Sequence, residues 1–124
     1  MPPHLKSGKY GENAAKKFLK SKGLKFLTSN YNSGRGEIDL IFRDGDCLVF
    51  VEVKTRDTSS WTRPEKAVDF RKRKALSRAA WDYIRLLKNP RLKFRFDIVE
   101  VITRNQQVQE IRHIENAFNV KMIL

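Results

Sequence analysis

Three residues set the chemical problem: Asp39, then, after twelve intervening residues, Glu52 and Lys54. They stand in two short stretches, Gly36-Glu37-Ile38-Asp39-Leu40 and Val51-Glu52-Val53-Lys54-Thr55-Arg56. Two carboxylates suit a hard divalent cation such as Mg²⁺, with Mn²⁺ as a substitute, because such ions take oxygen ligands and keep waters and substrate phosphate oxygens in their shell. An ammonium two residues from one of them suits the charge that develops on a reacting phosphate. The chemistry implied is hydrolysis of a phosphodiester, in which the ion polarises a phosphoryl oxygen and lowers the pKa of an attacking water. Glu and Lys also alternate on ordinary solvent-facing strands, so the spacing alone leaves both readings open.

Positioning favours the first of them. Residues 37–43 and 47–55 read as two strands joined by the hairpin turn Asp44-Gly45-Asp46. Their alternation puts Glu37 and Asp39 on one face of the first strand, and Glu52 and Lys54 on one face of the second. A hairpin centred near Gly45 sets Asp39 almost directly opposite Glu52, where two carboxylates repel unless something neutralises them. Leu48-Val49-Phe50-Val51 is a continuous apolar run, the pattern of a strand buried on both faces. Charges on such a strand are costly unless paired or bound to metal. A Glu52–Lys54 ion pair alone leaves Asp39 unexplained.

The remaining elements follow from periodicity. Residues 8–22 read as a helix with Ala14, Ala15, Phe18 and Leu19 on one face, closed by Gly23. Glu12 in its first turn reads either as a carboxylate favoured by the helix dipole or as a member of the site. Residues 24–31 suggest a strand, and Asn32-Ser33-Gly34-Arg35-Gly36 a turn. Residues 57–64 form a polar loop carrying Trp61, which suits either stacking on a base or packing on its own domain. Residues 65–88 read as a long helix ended by Asn89-Pro90. Its N-terminal half carries the basic residues Arg71, Lys72, Arg73, Lys74 and Arg78. Residues 94–102 and 107–114 read as strands, with a short helix from Glu115 onward. The order α-β-β-β-α-β-β predicts an α/β fold, a mixed sheet flanked by helices with the third strand central.

The chain of 124 residues is expected to form one domain over residues 8–124, preceded by a basic arm over residues 1–7. One cysteine, Cys47, excludes an intramolecular disulfide; with only His4 and His113 beside it, no zinc site is expected. The N-terminal residues lack a signal-peptide apolar region, and no run reaches the ~20 apolar residues of a membrane span, so a cytoplasmic protein without a membrane partner is expected. A net charge of +12 recruits polyanions, nucleic acid first. Arg56, Arg71, Lys72, Lys74 and Arg78 are the candidates for phosphate contacts, with Lys72 and Lys74 placed best to reach a substrate. Glu37 reads as a supporting acceptor or an exposed strand-end charge. Asp97, between Phe96 and Ile98, reads as support for the fold or as an arginine's partner. His4 and His113 have no catalytic arrangement.

The stretches Gly36-Glu37-Ile38-Asp39-Leu40-Ile41 and Val49-Phe50-Val51-Glu52-Val53-Lys54-Thr55-Arg56 resemble the bacterial YraN family. So do Gly11-Glu12-Asn13-Ala14-Ala15, the stretch from Lys74 to Tyr83, and Arg95-Phe96-Asp97; the resemblance runs from Gly8 to about Val101. That family is similar to the archaeal Holliday-junction resolvases and falls in the restriction-endonuclease-like superfamily with the PD-(D/E)xK site. The resemblance implies a restriction-endonuclease-like sheet. It also implies that Asp39 and Glu52 are metal carboxylates, that Lys54 is the catalytic lysine, and that Glu12 completes the metal site. Ile38 stands where the superfamily's eponymous proline would. The function implied is Mg²⁺-dependent DNA cleavage, on branched or structured DNA, with homodimerisation compatible. The alternative is a non-catalytic module that binds DNA, or RNA and ribosomes.

Overall fold

The protein is described from a computed structural model over residues 3–58, 69–89 and 91–118, without the side chains of residues 3–8. Seven elements follow in the order α1 (Pro3–Ser21), β1 (Lys25–Asn32), β2 (Glu37–Asp44), β3 (Cys47–Asp57), α2 (Phe70–Leu87), β4 (Lys93–Arg104) and β5 (Gln107–Ile114). The five strands form one sheet in spatial order β1-β2-β3-β4-β5. Antiparallel pairing joins β1 to β2, β2 to β3 and β4 to β5. The pair β3–β4 is parallel, as the crossover through α2 requires. This is the α/β order expected from the sequence, with β3 at the centre.

Alternation along β3 divides the core in two. Val49 and Val51 join Ala15 and Leu19 of α1 with Leu40, Phe42, Val99 and Val101. Leu48 and Phe50 join Leu76, Ala79 and Ala80 of α2 with Ile41, Phe96 and Ile98. Glu52 and Lys54 continue the second series, so they emerge on the α2 face beyond its apolar part.

The boundaries differ from expectation by more than two residues in three places. Helix α1 begins at Pro3 instead of residue 8, so residues 3–7 are helical and do not form a loose arm; proline suits a helix's first turn. Helix α2 begins at Phe70, not residue 65, because Asp69 is extended (φ −74°, ψ −179°) and its side chain caps the Lys72 N–H. Positions 65–68 and Trp61 lie outside the described residues. The helix expected from Glu115 is not formed up to Phe118; instead Ala117 N–H donates to the Phe96 carbonyl and Phe118 stacks on Phe96. Residues 119–124 lie outside the described residues. Gly23 adopts φ +93° and closes α1 as expected. No helix among the described residues is long and apolar enough to cross a membrane.

Candidate active site

The hairpin register brings the two key carboxylates together. The β2–β3 ladder runs from Asp44↔Cys47 to Leu40↔Val51, and one step further Asp39 stands opposite Glu52. There the strands begin to part. Asp39 Oδ2 accepts the Val53 N–H at 2.8 Å, so a side chain takes the place of a ladder bond. Glu52 is only 5 % exposed. Burial, and then the hydrogen-bonded Asp39 carboxyl against it, push the Glu52 pKa up to about 8, against the pull of Lys72 and Lys54.

Two lysines approach from different elements. Lys54 lies two residues along β3, on the same face as Glu52. Lys72, in the first turn of α2, places its Nζ 3.5 Å from Glu52 Oε2. A turn before β2 fixes the geometry between strand and helix. Arg35 there grips Asp82 of α2 through two hydrogen bonds, at 3.0 and 2.7 Å. A β-carbon on Gly36 would collide with the Ala75 carbonyl, so only glycine allows that approach.

Glu12 comes from the opposite face. Helix α1 sits close on β3 because Gly11 has no β-carbon to collide with the Thr55 hydroxyl. That approach carries Glu12 to the end of the sheet. Burial and the neighbouring Asp39 raise its carboxyl above the ordinary range, while a hydrogen bond from Asn30 and the nearby Lys9 act to lower it. Asn30 was not singled out from the sequence. It lies between Ser29, paired with Leu40, and Tyr31, paired with Ile38, and so faces Asp39 across the ladder. Its φ of +51° is a left-handed conformation, which asparagine tolerates better than most residues. An asparagine inside a strand pattern was the available signal, since strands are depleted in it.

Half-buried Asp39 and buried Glu52 provide hard oxygen donors that confront one another, which fits Mg²⁺ or Mn²⁺. Among the described residues no three His, Cys, Asp or Glu side chains gather tightly enough to hold a metal ion. A candidate donor set would therefore be the carboxylate pair alone, with Glu12 flanking it and not completing a three-residue cluster as expected, and water and phosphate would fill the shell. Mg²⁺ is commonly bound in this way, through one or two carboxylates plus substrate phosphates.

The other candidate residues divide. Arg56 does not project freely: its Nε lies 3.2 Å from Oε2 of buried Glu100, which also draws Arg112 to 3.8 Å. These three residues, with Asp57, Thr58, Ile102 and Glu110, line a cleft of about 190 Å³. Neither Glu100 nor Arg112 was marked by the sequence. Arg71, Lys74 and Arg78 are exposed on α2, on the side opposite Leu76, Ala79 and Ala80, and Lys74 Nζ lies over the Phe70 ring at 4.8 Å. Of the two lysines expected nearest the substrate, Lys72 turns inward and Lys74 outward. Glu37 is an exposed strand-end carboxylate bonded to Asn32 at 3.0 Å. Asp97 pairs with Val51 beside Glu52 but points to the other face of the sheet, where it is buried in a structural network, accepting from His113 at 2.7 Å, Arg95 at 3.0 Å and the Asn116 N–H at 2.9 Å.

The model of the family described as "Uncharacterised protein family UPF0102" matches residues 11–101. A UPF0102 protein of Clostridium acetobutylicum is 39 % identical over 116 residues, covering 93 % of this chain and 95 % of the relative. One from Solibacter usitatus is 43 % identical over 113 residues, covering 90 % and 84 %. One from Rhodococcus opacus is 35 % identical over 118 residues, covering 95 % of this chain and the relative's whole length.

Proposed function

The chain belongs to the UPF0102 family, and from its site we propose that it is a divalent-metal-dependent endonuclease hydrolysing phosphodiester bonds of DNA, with branched or otherwise structured DNA as substrate. One observation carries the reading. Two carboxylates from adjacent strands, Asp39 and buried Glu52, confront each other beside Lys54. In the metal-free fold a proton and Lys72 offset that repulsion, and a divalent cation would offset it with both carboxylates ionised.

Asp39 and Glu52 would hold Mg²⁺ or Mn²⁺, which when bound would supply Lewis-acid polarisation of a phosphoryl oxygen and a water of lowered pKa. The Lys54 ammonium, carried by β3 on the face of Glu52, would orient an attacking water and stabilise negative charge developing on the phosphoryl oxygens. Asp39 is kept in place by the Val53 N–H. Glu12, hydrogen-bonded to Asn30, accepts hydrogen bonds from water at the flank of the pair. Arg71, Lys74 and Arg78, on the exposed face of α2, bind backbone phosphates, an interaction that orients the strand without reading its sequence.

A second reading, a non-catalytic module for DNA or for RNA and ribosomes, draws support from the Lys72–Glu52 ion pair, which partly neutralises the site without metal. End-labelled four-way junction, flap, duplex and single-stranded DNA, incubated with Mg²⁺ or Mn²⁺ and wild type or Glu52→Ala, separate the two. Cutting that vanishes in the variant supports the nuclease. Salt-dependent binding by both proteins without cutting supports the module.

A further inference from the structure

Lys72 occupies a position that a divalent cation would contest. We infer that Lys72 is the resident counter-ion of ionised Glu52, that metal binding displaces it, and that the released ammonium then engages a phosphate oxygen of the bound strand. The inference rests on the nuclease reading above.

Four observations lead to it. Lys72 Nζ is 3.5 Å from Glu52 Oε2, and the lysine side chain is 45 % exposed while that of the glutamate is 5 % exposed. The glutamate is thus fixed and the lysine has solvent to move into. The backbone of Lys72 is held, because its N–H donates to Asp69 Oδ1 at 2.9 Å in the α2 cap; only the four-carbon stem need swing. The neighbouring basic residues are turned elsewhere: Arg73 lies over the Phe118 ring at 5.0 Å and Lys74 over Phe70. Finally, Lys54 sits on the strand beside Glu52, so the site draws one lysine from the sheet and one from α2.

Energetics favour the exchange. A half-exposed ion pair is weak, whereas a divalent ion gains both carboxylates at once. Displacement removes the positive charge that would repel the incoming cation. It also leaves an ammonium at the edge of the site when the phosphate arrives, so metal loading and strand binding are coupled through one side chain.

Calorimetric titration of Mg²⁺ into the full chain without DNA, at about pH 9 where protons compete least for carboxylates, tests this. The proteins are wild type, Lys72→Met, Lys72→Gln and Lys72→Arg, each checked for an unchanged melting profile. Both neutral variants should bind Mg²⁺ about fivefold more tightly than wild type, with Lys72→Arg close to wild type. In saturating Mg²⁺ the neutral variants should bind a four-way junction about fivefold more weakly. Mg²⁺ affinity that is equal or weaker in whichever neutral variant folds overturns the counter-ion role and leaves the nuclease reading standing. Failure of wild type and variants alike to bind Mg²⁺ at millimolar concentration overturns both.

Discussion

Asp39 accepts the Val53 N–H through its carboxylate at 2.8 Å, one step past the last paired residues of the β2–β3 hairpin. The same side chain therefore completes the sheet and faces Glu52. These two duties are separable by mutation. Asp39→Asn retains an acceptor for Val53 and removes the charge opposed to Glu52, so it should fold at least as stably as wild type in the absence of metal. Asp39→Ala leaves the Val53 N–H without its acceptor and should be less stable than Asp39→Asn by ~1–2 kcal/mol. Urea unfolding of the two variants measures the difference; equal stabilities would show that the bond does not support the strand.

Glu52 makes stability depend on pH. Its carboxyl, ordinarily near 4.5, titrates at about 8 in the folded protein. Between those values the native state holds a proton that the unfolded chain has released, so metal-free stability falls as pH rises from about 4.5 to about 8 and then levels. A divalent ion requires the ionised pair and reverses the trend, stabilising more as pH rises. Melting curves with and without Mg²⁺ across this range should show both slopes in wild type. Glu52→Gln should lose both, and a Glu52→Gln curve parallel to wild type would remove Glu52 from the account.

Asp97 should matter for folding and not for chemistry. Burial opposes its ionisation, yet His113, Arg95 and the Asn116 N–H hold its pKa below the ordinary range. A carboxylate so depressed contributes stability that is present above pH 3.8 and is lost as pH falls through its folded pKa. Asp97→Ala removes the shared acceptor of His113, Arg95 and the Asn116 N–H, leaving Arg95 only Asp44 and Glu115, and should cost ~3–5 kcal/mol in urea unfolding at neutral pH. Whatever fraction remains folded should retain its Mg²⁺ affinity.

The approach of α1 to β3 at Gly11 is similarly testable. Gly11→Ala drives a methyl group into the Thr55 hydroxyl and should destabilise by ~1–3 kcal/mol, despite alanine's better helix propensity. Adding Thr55→Ala should recover part of the loss, giving a coupling in a double-mutant cycle. Additive effects would mean that α1 does not rest on Thr55.

Much of this was legible in the chain. Alternation and the Asp44-Gly45-Asp46 turn set the hairpin register, and the apolar run before Glu52 marked β3 as central. Side chains that depend on tertiary placement were not legible. On α2, helical spacing puts Lys72 in phase with Leu76 and Ala79 and Lys74 opposite them, but only the placement of the helix on the sheet brings Lys72 to Glu52. Glu100 sits in an ordinary strand alternation, and only the β3–β4–β5 pairing brings Arg56 and Arg112 to it. The Asp69 cap was hidden by basic and apolar residues on either side that fit a continuous helix.

The most direct test of the central claim is single-turnover cleavage of a labelled four-way junction in Mg²⁺ by wild type, Asp39→Asn and Glu52→Gln, with DNA affinity measured in parallel. The site described here predicts metal-dependent cutting by wild type and a loss of at least ~100-fold in each variant, with junction binding retained. Cutting that survives both substitutions, or no metal-dependent cutting by wild type on any DNA structure, would contradict it.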